Sequence, residues 1–394
     1  MKKNILILPS WYPTELKPNE GLYFYEQAKI LSKNFDVKLI FGETVILSPR
    51  KFLVFVLRSV FSLKLTIKKD KNSHRVGFKM PFLWVKNKFI NHLVEYWYYK
   101  RVFDKICGDW KPDFILLQSA YMKAKTANKL SKKIGVPLII HEHQIPFNYS
   151  FQYDIVGIND IIKSNTDFLC VSEYQGFLFQ LLNLRNEFKL LPNYIDTKNL
   201  LLIKENIPHS ALNYISFVSY DWYIKDNDTF LKAIQFLIDK LGYTNFKVRF
   251  IGGSLNPGQK EDPYMSLPEK YGISDYFDVL GRQTKEDTLK LIASSKVLVS
   301  TSLSETHGLV IREALALGVP VISTKNGGAD SLFSEEGIGI LCEKKDFKSI
   351  AKGIKEILTN RFYFDEERAF SVVNDECGEE VFLNKFSKIT ERFN

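Results

Sequence analysis

Cysteine is scarce here. Four cysteines in 394 residues, Cys107, Cys170, Cys342 and Cys377, stand far apart with no C-x-x-C step, which excludes a disulfide framework and a zinc module. A reducing cytoplasm is the simplest expectation. Long apolar runs are missing as well. After Lys2 and Lys3 the run Ile5 to Leu8 ends at Pro9, too short for a signal peptide. The longest apolar stretch, Phe52 to Ile67, is broken by Arg58 and Lys64, which argues against a bilayer-spanning helix. No fixed-period repeat or low-complexity tract is present. Nucleic acid is not expected as a partner, because no binding motif is found and the basic residues are not interleaved with stacking aromatics. Gly252-Gly253 lacks the G-x-G-x-x-G pattern, so no dinucleotide cofactor is indicated, and no metal-ligand cluster is seen.

Acidic residues are also short, but only in the first half. Residues 1–200 carry 30 Lys+Arg against 17 Asp+Glu, whereas the remainder carries 24 against 28. The whole surplus of the +9 net charge therefore sits in the first half and points to an anionic partner there. It is steepest over residues 44–133, with 20 basic against 5 acidic side chains. Within that stretch Phe52, Leu53, Phe55, Val56, Leu57, Val60, Phe61 and Leu63 form an apolar block. Arg50, Lys51, Lys64, Lys68, Lys69 and Lys71 flank it. Such a block suits an interfacial helix on an anionic membrane surface; the competing reading is a core helix with a solvated basic rim.

Patterning along the chain alternates short apolar runs with helical stretches. Asn4–Pro9, Asp36–Gly42, Phe114–Leu117, Val136–His141 and Asp167–Val171 read as buried strands, with a helix over about residues 22–33. Residues 44–110 show no clear period and are placed as an elaboration on the first domain. In the second half Tyr214–Ser219, Lys247–Gly252, Phe277–Leu280, Lys296–Thr301, Val319–Ser323 and Gly339–Cys342 continue the strand series. Asp228 is placed as N-cap of a helix bearing Phe230, Ala233, Ile234, Leu237, Ile238 and Leu241 on one face, with Gly242 as its stop. Asp226-Asn227-Asp228, which spells a D-x-D metal motif, is therefore assigned to a helix start. Thr284 and Asp287 form a capping-box-like start for a helix through Ala293. This alternation predicts an α/β protein with two Rossmann-like parallel-sheet domains facing across a cleft. The expected boundaries are 1–200 and 201–375, with 376–394 as a terminal helix packing back on the first domain. Ligands are expected beyond the carboxyl ends of the strands.

The densest chemistry lies between Ser304 and Pro320 (SETHGLVIREALALGVP). Glu305 and Glu313 stand eight apart, one on a strand-to-helix loop and one on the next helix. Between them Thr306, His307, Gly308 and Leu309 offer backbone N–H groups at a helix N-terminus, an arrangement suited to a diphosphate. Glu313 is placed to reach a vicinal diol such as a ribose.

This segment resembles the E-x7-E signature of the retaining glycosyltransferases of the GT-B fold, specifically glycosyltransferase family 4. Other stretches resemble that family in order along the chain. They are Pro9-Ser10-Trp11-Tyr12-Pro13, Asn19-Glu20-Gly21, Glu26-Gln27-Ala28, Glu142-His143, Pro192-Asn193-Tyr194-Ile195-Asp196, Lys225-Asp226-Asn227, Gly327-Gly328 and Gly339-Ile340-Leu341. The resemblance implies that Glu305 holds the donor sugar's hydroxyls and Glu313 the ribose. It implies that the amides of Thr306, His307, Gly308 and Leu309 hold sugar and diphosphate, with the His307 ring as a wall of that pocket. Lys225 neutralises the leaving diphosphate. His143 contacts the donor sugar, Gly21 approaches the phosphates, and Gly281 and Arg282 lie near the base. His141, the competitor of His143, is expected to point away from it.

The reaction that the resemblance implies is retaining transfer from a nucleotide-sugar donor, a UDP-sugar before a GDP-sugar, to a glycan or lipid-linked acceptor in surface polysaccharide assembly. No metal or cofactor is required. A nucleotide-sugar epimerase or phosphorylase on the same scaffold and a non-catalytic anion- or membrane-binding protein are the competing readings. Two departures from the family stand out. Its Gly-Arg step is replaced by Val218-Ser219-Tyr220-Asp221, removing a charged hydrogen bond worth about 1.5–3 kcal/mol. Tyr194 stands where the family has a glycine, a position expected to strain if φ must be positive.

Overall fold

The computed structural model describes residues 2–14, 20–70, 73–83, 88–146, 155–164, 167–207, 212–220, 223–253, 264–334 and 336–393. Two compact units result: unit 1, Met1–Tyr194 with Phe382–Asn394, and unit 2, Ile195–Val381.

Unit 1 opens with β1 (Asn4–Pro9), α1 (Leu22–Leu31) and β2 (Asp36–Leu47), followed by α2 (Pro49–Phe61), β3 (Leu65–Asp70), β4 (Ser73–Leu83) and α3 (Lys88–Cys107). It continues through β5 (Phe114–Gln118), α4 (Ala120–Ile134), β6 (Leu138–Glu142), α5 (Ile155–Ser164), β7 (Asp167–Cys170), α6 (Glu173–Leu181) and β8 (Lys189–Leu190). The sheet order is β3-β4-β2-β1-β5-β6-β7-β8, parallel except for β3 at the edge, which runs antiparallel to β4. β1, β5, β6 and β7 are buried without alternation because helices cover both faces. On one face α4 contributes Ala120, Ala124, Ala127 and Leu130. On the other, α1 contributes Ala28 and Leu31, and the last helix of the chain contributes Phe382, Leu383 and Phe386. Phe386 is fully buried, 5.4 Å from the Phe35 ring, so truncation to alanine costs about 3–5 kcal/mol.

Residues 44–110, aperiodic in sequence, turn out to be regular. β2 continues to Leu47, and β4 pairs with it along eleven residues, extending the sheet. The pattern is hard to read because β4 carries a glycine and a proline, and α3 mixes aromatics with basic residues. The apolar block at 52–63 forms α2, with Pro49 in its first turn, where a missing N–H costs nothing. It is not a core helix. Only Phe52 and Ser59 are buried, while Leu53, Leu57, Val60 and Phe61 are exposed.

Unit 2 contains α7 (Thr197–Glu205), β9 (Tyr214–Tyr220), α8 (Asn227–Asp239), β10 (Lys247–Gly253), α9 (Leu267–Lys270), β11 (Phe277–Gly281) and α10 (Lys285–Ala293). Then come β12 (Val297–Ser300), α11 (Leu309–Ala316), β13 (Val321–Thr324), β14 (Gly339–Cys342), α12 (Phe347–Leu358) and α13 (Glu366–Cys377); α14 (Glu379–Thr390) follows, belonging to unit 1 from Phe382 onward. The order β11-β10-β9-β12-β13-β14 is parallel throughout. The chain winds outward from β9 to β11, then returns to place β12 on the other side of β9. That reversal makes the β9/β12 boundary a switch point, where flanking loops diverge and leave room for a ligand. Phe217, Phe230 and Phe250 stack at 3.9 and 5.5 Å to form the centre of one core layer.

Two helix starts can be set beside the sequence reading. α8 begins two residues earlier than expected: Asp226 is the cap position, in a left-handed conformation, and Asp228 lies in the first turn. The α10 start is as read, with the Asp287 N–H donating to Thr284 Oγ1 at 3.1 Å. All four cysteines are buried and free. Among the described residues no helix is long and apolar enough to cross a membrane.

Candidate functional site

Unit 2 concentrates its polar side chains at the β9/β12 switch point. The loop after β9 ends in a 3-10 turn, Tyr223–Lys225, and the loop after β12 carries Ser302 to Gly308. These loops are tied together by backbone contacts. Thr301 Oγ1 donates to the carbonyls of Lys225 and Asp226 at 3.0 and 2.9 Å, and the Leu303 N–H donates to the Ile224 carbonyl at 2.7 Å. So held, Lys225 Nζ lies 2.6 Å from Glu305 Oε1, which also accepts from Ser302 Oγ at 2.7 Å. Both side chains keep about a fifth of their surface open, 20% and 17%, enough to meet a ligand without being fully solvated. An ammonium has three donors, so Lys225 can hold Glu305 and meet a second anion at once.

α11 starts from Gly308 in a left-handed conformation; the Ile311 and Arg312 N–H groups donate to the Gly308 carbonyl, and those of Leu309 and Val310 have no intrahelical acceptor. Glu313, one turn further, pairs with Lys285 at the start of α10. Behind this helix Arg312, only 1% exposed, forms a fork with Glu376 and donates to the carbonyls of His307 and Gly328. Gly328 is required by the same packing, since a Cβ there would lie 2.4 Å from the Glu305 carbonyl oxygen.

His307 differs from its expected role as a pocket wall. Its ring is buried against α13, with Nε2 3.7 Å from Glu376 Oε1 and 3.9 Å from Cys377 Sγ. Only its backbone is left to face a ligand. Glu376, His307 and Cys377 lie close enough to hold a metal. Both Glu376 oxygens are engaged by Arg312, however, so the group is a packed network that fixes the loop. Burial pushes the Glu376 carboxyl up, but hydrogen bonds to His307 and Arg312 outweigh it and hold it well below the usual range.

The D-x-D carboxylates are engaged at the helix start. Asp226 Oδ2 accepts from Thr229 Oγ1 at 2.7 Å, and Asp228 pairs with Lys232 at 2.7 Å and with the Tyr271 hydroxyl. Desolvation raises the Asp228 carboxyl, and these two partners more than offset it, leaving it below its ordinary value. Gly281 closes β11, two strands from β9. Arg282 reaches back so that its guanidinium lies 6.0 Å from the Tyr220 ring centroid, at the end of β9. Asp221 lies outside the described residues, as does Asn19.

In unit 1, Gly21 and His143 are neighbours through α1. Gly21 is the α1 cap at φ 67°, and a Cβ there would sit 2.7 Å from the Trp11 carbonyl oxygen. Just beyond it, the Tyr23 and Phe24 rings lie 5.4 and 4.7 Å from the His143 ring. Asn193 Oδ1 accepts from Gln27 Nε2 at 3.0 Å and pairs with His143 Nδ1 at 2.8 Å. That oxygen can only accept, so Nδ1 carries a proton. Beneath it, buried Glu142 accepts from the N–H groups of Ala120, His143 and Gln144 and from Ser119 Oγ. His141 does not point away: its ring lies 4.2 Å from that of His143, because residues two apart along a strand share a face. Its Nε2 donates to the Leu191 carbonyl at 2.8 Å, a structural task. Tyr194 shows no strain either. It lies outside the positive-φ region and packs on Phe382 at 5.8 Å.

Arg312, Glu376, Lys285 and Ser302 escape a reading by motif. Arg312 sits inside the E-x7-E segment at a position where a helix-surface charge looks ordinary. Its burial depends on Glu376, 64 residues later.

Comparison with known proteins bears on this site. Residues 203–371 match the family model described as Glycosyl transferases group 1. D-inositol 3-phosphate glycosyltransferase of Corynebacterium urealyticum is 28% identical over 155 residues, 39% of this chain and 36% of that protein. A glycosyltransferase of Methanocaldococcus jannaschii is 24% identical over 258 residues, 63% of this chain and 66% of its own. N-acetyl-alpha-D-glucosaminyl L-malate synthase of Bacillus anthracis is 29% identical over 127 residues, 32% of this chain and 33% of that protein. The chain thus spans between a third and just under two thirds of these relatives' lengths. Among solved structures, sucrose-phosphate synthase from Thermosynechococcus elongatus superposes with a TM-score of 0.75 at 15% identity, covering 99% of both chains. Anabaena HepE in complex with UDP-glucose gives 0.68 at 15%, covering 98% of this chain and 99% of its own. The fold is GT-B, with two parallel-sheet units.

Proposed function

Because residues 203–371 form a glycosyl transferases group 1 domain in a chain of GT-B fold, we propose that the protein is a retaining glycosyltransferase. Its donor is a nucleotide sugar, a UDP-sugar before a GDP-sugar, and its acceptor a glycan or lipid-linked molecule of surface polysaccharide assembly. The observation that carries this reading is the Lys225–Glu305 pair at the β9/β12 switch point. It sets a cation for a diphosphate beside a carboxylate for sugar hydroxyls, next to the amide-rich start of α11. Structural neighbours in complex with UDP, UDP-glucose and UDP-2-fluoro glucose support a uridine donor.

In this mechanism the amides of Thr306 to Leu309 and the Lys225 ammonium stabilise the diphosphate as the glycosidic bond breaks. Fixed dipoles act there at little reorganisation cost. Glu305 orients the sugar, Glu313 holds the ribose, and the acceptor attacks the face the diphosphate leaves. Gly281 and Arg282 are assigned to the base, with the Arg282 guanidinium 6.0 Å from the Tyr220 ring centroid at the end of β9. From unit 1, His143 is assigned to the transferred sugar and Gly21 to the phosphates, on the strength of their motifs. No divalent ion is needed, since Lys225 and the amides carry the leaving-group charge. The exposed apolar face of α2, set among basic residues, is assigned to an anionic membrane surface.

The test is UDP release across UDP-, GDP-, ADP- and dTDP-sugars with and without acceptor. A transferase releases free nucleotide when acceptor is supplied. A nucleotide that stays attached while the sugar changes would instead identify an epimerase.

A further inference from the structure

Unit 1 contains a cavity of about 1430 Å³ between α2 and the β2/β4 pair, larger than the ~300–1,000 Å³ that holds a drug-sized ligand. One wall is α2. Lys51, Val54, Phe55, Arg58 and Ser59 recur at helical spacing and line it. The floor is sheet. Leu39, Phe41 and Glu43 of β2 lie in register with Arg75, Gly77 and Lys79 of β4, and alternation puts all six on one side. Tyr25 closes one end, with the Arg75 guanidinium 4.8 Å from its ring centroid.

The lining combines two chemistries. Arg50, Lys51, Arg58, Lys64, Arg75 and Lys79 are cationic, and Glu43 is the single carboxylate among the lining residues. Among the described residues Arg50, Lys51, Arg58, Lys64 and Lys79 have no carboxylate within ion-pair distance. Like charges gathered without counterions repel one another, and a bound anion relieves that repulsion. Much of the rest is aliphatic and aromatic, which suits a hydrocarbon chain better than a bare sugar.

We propose that this cavity binds the acceptor, and that the acceptor is an amphiphile with a phosphate or diphosphate head and a hydrocarbon tail. The head meets the cations of α2 and β4, and the tail lies along Leu39, Phe41, Val54 and Phe55. This rests on the glycosyltransferase reading for the word acceptor, but the binding chemistry stands on the cavity alone.

The experiment is calorimetric titration of the full chain with farnesyl phosphate, farnesol and inorganic phosphate, in the absence of any sugar donor. UDP is titrated separately. Farnesyl phosphate should bind at least about tenfold more tightly than either fragment, and Arg58→Glu with Lys79→Glu should weaken it by at least about tenfold while UDP affinity is kept. Retained UDP binding shows that the variant is folded. Farnesol binding as tightly as farnesyl phosphate, or indifference to charge reversal, would overturn the ionic half of the proposal. Phosphate binding as tightly as farnesyl phosphate would overturn the hydrocarbon half. Absence of farnesyl phosphate binding with UDP binding intact removes this inference and leaves the transferase reading standing. Farnesyl phosphate binding without UDP binding does the reverse.

Discussion

Arg312 and Glu376 form a fork across unit 2, with Nε to Oε2 at 2.8 Å and Nη2 to Oε1 at 2.7 Å. The third guanidinium nitrogen donates to the carbonyls of His307 and Gly328. One buried cation therefore pins α13 and two loops that frame the Glu305 carboxylate.

Glu376→Gln should leave the guanidinium without its counterion. Removing one partner of a buried pair costs about 3–5 kcal/mol, and 28% exposure of Glu376 favours the lower end. Urea unfolding monitored by circular dichroism measures it. The sign with pH comes from the depressed carboxyl. Its contribution is present above the unfolded carboxyl's value of about 4.3 and is lost as pH falls from there through the folded value. The variant should therefore lose less stability than wild type on acidification below about pH 4. Parallel acid profiles would show that Glu376 is not coupled to folding.

Glu305 and Glu313 should separate in kinetics. On the proposed assignment of Glu305 to the transferred sugar, Glu305→Ala should lower kcat by about 10²–10³ with little change in donor KM. On the proposed assignment of Glu313 to the ribose, a contact equal in ground and transition states, Glu313→Ala should raise donor KM with kcat nearly kept. Steady-state assays against the donor measure both. Full activity in Glu305→Ala would remove it from the site.

Why some of this was legible in sequence and some was not has a physical reason. β1 and β12 are short apolar runs whose burial on both faces leaves no other reading. Glu305 and Glu313 belong to one segment whose spacing is set by a single loop and helix, so local sequence carries it. Lys225 was found by resemblance, but its contact with Glu305 depends on the β9/β12 crossover, which local pattern does not encode. Arg312–Glu376 and Glu313–Lys285 join residues far apart in the chain, and each partner alone looks like a surface charge. α2 is ambiguous for another reason. Its apolar residues fit a core helix or an interfacial one, and exposure speaks only against the core: Leu57 and Phe61 are 53% and 88% open.

Sugar transfer should survive EDTA. Asp226 and Asp228 are engaged by Thr229, Lys232 and Tyr271, and in the proposed mechanism Lys225 takes the place of a metal at the diphosphate. Turnover measured after exhaustive chelation should match the untreated enzyme. Loss restored by Mg²⁺ or Mn²⁺ would assign leaving-group stabilisation to a metal instead.

The outer face of α2 carries the last prediction. Leu53, Leu57, Val60 and Phe61 succeed one another at helical spacing and are exposed by 58%, 53%, 43% and 88%. An apolar stripe of this kind on a water-facing surface is unfavourable unless something covers it. Arg50, Lys51, Arg58 and Lys64 surround it and are themselves exposed, while the side chains of Lys68 and Lys69, and all of Lys71, lie outside the described residues. Apolar residues rimmed by cations match the boundary of an anionic bilayer, where each basic residue contributes about 1 kcal/mol and the apolar face enters below the headgroups. The wild-type chain should co-sediment with anionic vesicles at low salt and not with neutral ones. Raising salt from about 0.1 M to 1 M shortens the screening length from about 10 to 3 Å and should release it. Leu57→Asp with Phe61→Asp should abolish sedimentation while leaving stability within about 0.5 kcal/mol, since both positions are surface sites. Equal binding to neutral vesicles, or sedimentation that the double substitution leaves intact, would move the contact away from α2.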